Sequence, residues 1–130
     1  MRNEFLEKIC ETDQSWRAAT KAEQLVAAAF CRAKDKGYDF LAYDDPLHYL
    51  TDNLPEFTTV MQHAGLTEFY YVGDWSNWRW DALELDEAGW KLLGIMRIEN
   101  QEYKNDLERW GESDRSQTIP ALRFRLEGVG

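Results

Sequence analysis

A chain of 130 residues is long enough for one compact domain with one core. A 44% hydrophobic and 14% aromatic composition excludes intrinsic disorder, and no run of roughly 18 apolar residues is present to span a membrane. The net charge of -9 is uneven: +1 over residues 1–37, -10 over 38–89 and 0 over 90–130, with 11 of the 18 aromatics in the acidic middle. Such a segment repels phosphates and attracts cations, so direct nucleic-acid binding is not expected of it.

The N-terminus, MRNEFLEKICETD, mixes acids with short apolar steps and lacks the apolar block of a signal peptide. Cys10 and Cys31 are too few for a disulfide framework. Both lie in helix-like segments, where a free cysteine behaves as a small buried hydrophobe. A bridge between them would imply an oxidising compartment that nothing else in the sequence supports. A reduced, cytoplasmic protein is the expectation.

Phe5, Leu6 and Ile9 share one helical face over residues 3–11. Asp13 is placed to cap a turn that holds Trp16; residues 13–19 read either as a separate turn or as the start of the helix after them. Thr20 and Glu23 form a capping-box pattern ahead of a helix over 20–36. Its stripe is Leu25, Val26, Ala29, Phe30 and Ala33, and Gly37 is the expected left-handed stop.

The run FLEKICETD, the Ala-rich helix and the stretch Ala33-Lys34-Asp35-Lys36-Gly37-Tyr38-Asp39-Phe40 resemble the Nif11-like domain over residues 4–50. That resemblance implies a helical recognition module rather than an active site. The chain departs from the leader form of that family, having no Gly-Gly processing site at the end of the module and no Cys/Ser/Thr-rich core peptide after it.

Asp44 or Asp45 can cap the next helix, with Pro46 in its first turn. Leu47, Leu50 and Leu54 follow until Pro55 breaks the run, and a helix over 56–64 ends at Gly65. Glu68–Val72 reads as a strand, residues 73–77 as a turn and Trp78–Leu85 as the return strand of a hairpin. The return strand switches its apolar parity, from Trp78, Trp80 and Ala82 to Leu83 and Leu85, which predicts a bend or bulge. Asp86 then caps one long helix to about Trp110, with Leu85 and Trp90 as a hydrophobic staple and Gly94 weakening its middle. After a polar loop, Ile119–Leu126 alternates Leu122, Phe124 and Leu126 against Arg123 and Arg125, as a strand added to the hairpin. The hairpin running into Leu-Asp-Glu-Ala-Gly also resembles the wing of winged-helix proteins over about 20 residues.

Chemistry-bearing patterns are sparse. A helix could set Asp44 or Asp45 on one face with His48, and His63 is the other histidine, but a metal site needs three or more suitable ligands. No nucleophile elbow, Gly-rich phosphate loop or basic cluster beside a cysteine occurs. No metal and no cofactor are expected. The aromatics Tyr70, Tyr71, Trp75, Trp78 and Trp80 are the other candidate, since Trp and Tyr anchor interfaces. Trp75 and Trp78 flank the expected turn and are the least easily buried, whereas Trp80 and Trp90 read more readily as a roof over the core.

These readings predict a single α+β domain. Helices come first, then a small antiparallel sheet of hairpin plus last strand, with a long helix packed on it. The predicted function is a non-enzymatic interaction module. Its contact set is Tyr71, Asp74, Trp75, Trp78, Trp80, Asp81 and Glu84, and its partner a basic protein or basic peptide segment. Self-association stays open. The alternatives are a winged-helix-like DNA-binding regulator using the helix over 20–36 or Arg123 and Arg125, and a small enzyme with a cleft near His48.

Overall fold

The computed structural model of the chain describes residues 1–73, 76 and 78–127. The elements are α1 (Glu4–Glu11), α2 (Asp13–Ala18), α3 (Lys21–Lys36), β1 (Ala42–Tyr43), α4 (His48–Thr51), α5 (Leu54–His63), β2 (Glu68–Tyr71), α6 (Trp78–Glu87), β3 (Trp90–Glu99), α7 (Gln101–Trp110) and β4 (Thr118–Leu126). The class is α+β. The strands form one mixed sheet in the order β1-β2-β4-β3, with β1 parallel to β2 and the other pairings antiparallel.

The N-terminal helices follow their local signals. Asn3 caps α1 by accepting from the Leu6 N–H, and its amide donates to the Ala64 carbonyl at 2.8 Å, tying the N-terminus to the end of α5. Thr20 and Glu23 complete the capping box of α3 in both directions, and Gly37 ends that helix at φ 103°. Residues 13–18 are a separate helix, capped by Thr12 rather than Asp13: the Thr12 hydroxyl accepts from the Ser15 N–H, and the Ser15 hydroxyl from the Thr12 N–H. Asp44 and Asp45 do not cap α4, because the Arg32 guanidinium takes both carboxylates. Pro55 sits in the first turn of α5, where its missing N–H costs nothing, and so separates α5 from α4.

The centre of the chain corrects two expectations. The described residues of 68–85 form no hairpin: β2 is followed by a helix, and its antiparallel partner is β4. There is no helix from 86 to 110 either. Gly89 adopts φ 99° and donates its N–H to the Asp86 carbonyl, which stops α6 as a left-handed glycine does. Trp90–Glu99 is then a ten-residue strand, and only residues 101–110 are helical.

The parity switch read as a bent strand is a helical period. Trp78, Ala82 and Leu85 lie at i, i+4 and i+7, and all three face inward: Ala82 and Leu85 are buried and Trp78 packs against the core. In β3 a bulge between Leu92 and Gly94 shifts the side-chain alternation by one residue, so Leu92 and Ile95 fall three apart yet pair with Phe124 and Leu122 on one face.

One face of the sheet carries the main core. Phe69 and Tyr71 of β2, Leu122, Phe124 and Leu126 of β4 and Trp90 of β3 pack against Leu6, Val26, Phe30, Phe57, Met61 and Leu85 from the helices. At its centre Phe69 stacks on Phe124 with ring centroids 5.0 Å apart, and Trp90 lies 5.3 Å from Phe57 and 5.4 Å from Phe69. The Trp90 indole N–H is not stranded there, since it donates to the Thr58 hydroxyl at 3.0 Å. On the opposite face Tyr38, Ala33 and Ala42 form a smaller cluster with Phe40, Val72 and Ile98 against it. The helix expected to cover the sheet is the short α7, which buries none of its residues and meets the C-terminal end of α3, where Asn105 donates to the Lys36 carbonyl.

Candidate interaction surface

Helix α6 has two unlike sides because its apolar and acidic residues alternate at helical spacing. Opposite the buried Ala82 and Leu85 it presents Trp80, Leu83, Glu84 and Glu87, at i, i+3, i+4 and i+7, so they form one continuous strip. Trp80 is 72% exposed and Leu83 53% exposed, and both carboxylates are exposed. Asp81 stands at the edge of this strip and accepts from the Thr51 hydroxyl at 3.3 Å, which links α6 to α4.

The predicted contact residues separate into four groups. Tyr71 is in the core, 1% exposed and opposite Leu122 of β4, so it cannot meet a partner; the register of β2 turns it to the same side as Phe69. Asp74 and Trp75 lie outside the described residues. Trp78, expected to be open, is half-buried against the core, and the Arg79 guanidinium lies 5.1 Å from its ring centre. Trp80, expected to help roof the core, is the most exposed large apolar side chain among the described residues, whereas Trp90 is fully buried as expected. Thus Trp80, Asp81 and Glu84 are brought together, and Leu83 and Glu87 join them. Those two were missed because the stretch was read with a period of two; a period of 3.6 would have found them.

The acidic segment is less uniform in space than in sequence. Asp44 and Asp45 bind Arg32 at 2.9 and 2.7 Å, and Lys36 reaches Asp44 at 3.3 Å. Burial pushes the Asp44 carboxyl up, but the hydrogen bond and charge of Arg32, with help from Lys36, hold it below its ordinary range. Glu68 pairs with Arg123 at 2.9 Å, and Asp86 with Lys91 at 3.2 Å. Asp39, Asp52, Glu56, Asp81, Glu84 and Glu87 have no ion-pair partner among the described residues. Of these, Glu84 and Glu87 share one helix face with the open indole.

A network at the end of α3 left no trace in the local sequence, because its members come from distant segments. Lys36 bridges Asp44 and Glu102, both at 3.3 Å, and Arg115 bridges Glu102 and Asp106 at 3.0 and 3.1 Å. Lys36, Asp44, Glu102 and Arg115 border a recess of about 480 Å³ between α3, β1, α7 and the loop before β4. The cations and most of the acids there are matched to one another, so the network ties elements together.

His48 opens α4, with its ring edge-on to Tyr49 at 4.6 Å, and His63 lies 6.0 Å from Phe5. The carboxylates placed beside His48 by the sequence belong to Arg32 instead. Cys10 and Cys31 are free thiols but not the buried hydrophobes expected: Cys10 is exposed and Cys31 half-buried. No group of three or more His, Cys, Asp or Glu able to hold a metal ion occurs among the described residues, and no helix there is long and apolar enough to cross a membrane. No family model matches the chain, and no match is found among curated proteins or solved structures.

Proposed function

We propose that the protein is a non-enzymatic, cytoplasmic interaction module that grips a basic, amphipathic protein segment on the outer face of α6. The observation that carries this reading is Trp80, 72% exposed on the same helix face as Glu84 and Glu87. An indole held open to water beside carboxylates that have no ion-pair partner among the described residues suits an Arg or Lys side chain, which can lie on the ring while its charge meets the acids. Leu83, one turn from Trp80, gives an apolar residue of the partner a place to sit. The Nif11-like resemblance of residues 4–50 agrees with a recognition module, though it concerns α1 to α4 rather than α6.

The test is a titration of the protein with synthetic helical peptides bearing Lys or Arg around a Leu, followed by fluorescence anisotropy at increasing salt. Affinity is expected to fall with salt and to fall again with Trp80→Ala. Binding indifferent both to salt and to Trp80→Ala would remove the reading.

A further inference from the structure

Helices α1 and α3 meet along two contacts that share one antiparallel register. The Lys34 ammonium donates to the Glu7 carboxylate at 2.9 Å. Three residues on in α1 and three residues back in α3, the Cys31 and Cys10 sulfurs lie 3.1 Å apart. The salt bridge therefore fixes the alignment of the cysteines independently of the sulfurs themselves. Both are free thiols, Cys10 exposed and Cys31 half-buried, so a small reagent can reach the pair. The segment between them contains α2, which buries none of its residues.

We propose that Cys10 and Cys31 form a reversible dithiol–disulfide site whose co-substrate is a low-molecular-weight disulfide, and whose oxidised form staples α1 to α3. One cysteine, as its thiolate, attacks the co-substrate and expels its first thiolate, leaving a mixed disulfide. The second cysteine then attacks the protein sulfur of that bond and expels the other thiolate. The two leaving thiolates take up the two cysteine protons. Two protein thiols and one small disulfide thus become one protein disulfide and two small thiols, with two electrons passing to the co-substrate. Burial and the adjacent Cys31 sulfur push the Cys10 thiol up to about 12.

The experiment uses the full chain, reduced and then brought to equilibrium in buffers of stepped oxidised-to-reduced glutathione ratio, followed by alkylation, intact mass and peptide mapping. The expected product is a monomer that has lost two hydrogens, carries no glutathione, yields a Cys10–Cys31 linked peptide and returns to the dithiol with excess reductant. In Cys10→Ser the closed product is absent and Cys31 ends as a glutathione adduct. Hydrogen exchange across residues 4–19 is expected to slow several-fold in the oxidised form, because opening of α1 and α2 is restricted. The proposal is overturned if both cysteines still alkylate at the most oxidising ratio, if both carry glutathione in one molecule, if the bond joins two chains, or if closure abolishes the folded circular-dichroism signal.

Discussion

Trp80 and Trp90 sit ten positions apart, on either side of one turn, and have opposite surroundings. Trp90 is fully buried between Phe57 and Phe69, with its N–H satisfied by Thr58. Trp80 stands in water beside Glu84 and Leu83, on a helix whose other side supplies Ala82 and Leu85 to the core. What separates them is geometry rather than residue type. Trp90 begins a strand at the register of Leu126, whereas Trp80 is two residues past a helical position that faces inward. One indole is there for packing, and the other is left over from packing and open to solvent.

The strongest way to break this comparison is truncation of both rings. Trp90→Ala is expected to cost about 3–5 kcal/mol in urea unfolding, from lost burial and the cavity left among the aromatics. Trp80→Ala is expected to stay within about 0.5 kcal/mol of the parent, as for a side chain that supports nothing. Equal losses in the two variants would put Trp80 in the fold and remove it from the surface. The next largest effect concerns recognition: Trp80→Ala is expected to weaken binding of a basic amphipathic peptide by about 2 kcal/mol, roughly thirtyfold, read by anisotropy at fixed salt.

How far the sequence could be read depended on whether the deciding contacts are local. Helix α3 was legible because Thr20, Glu23, the apolar stripe and Gly37 all lie within it. Strand β4 was legible because Leu122, Phe124 and Leu126 alternate without interruption. Strand β3 was not, because the bulge at Leu92/Gly94 places Leu92 and Ile95 at helical spacing. The ladder with β4, some thirty residues later, decides the matter, and nothing in the local run announces it. Helix α6 could have been found: Trp78, Ala82 and Leu85 already sat at i, i+4 and i+7, and Gly89 marked the stop. Of the candidate site, Asp81 and Glu84 were named for their charge, but their placement beside Leu83 and Glu87 needed the correct period.

A second contrast, between acids that are held and acids that are free, yields a smaller effect. Asp44 and Glu84 belong to the same acidic stretch, yet Asp44 is gripped by Arg32 and Lys36 while Glu84 has no ion-pair partner among the described residues. Arg32→Met would leave the half-buried Asp44 and Asp45 short of their main partner, with an expected loss of about 1 kcal/mol in urea unfolding after allowance for solvent screening. Glu84→Gln is expected to leave unfolding unchanged and to lower only the rate at which a basic peptide associates, seen in stopped-flow at low salt. If Glu84→Gln destabilised the fold as much as Arg32→Met, the distinction between held and free carboxylates would fail.

The smallest expected effect is a pH dependence at the contact that sets the α1–α3 register. The Lys34 ammonium, the Asn3 N–H and the Arg2 guanidinium lower the Glu7 carboxyl from 4.5 to about 2. The folded state therefore holds fewer protons on Glu7 than the unfolded state does between these values. Its contribution to stability is fully present above the unfolded value and is lost as pH falls toward about 2. Glu7→Gln removes this term, so the fall in stability between about pH 6 and about pH 3 should be shallower than in the parent, by urea unfolding at both values. Lys34→Met should flatten the same limb, because the dominant hydrogen bond is gone. If neither variant changes the slope, the Glu7–Lys34 contact does not persist in solution, and the alignment of Cys10 with Cys31 would have to rest on packing of Leu6 and Ile9 alone.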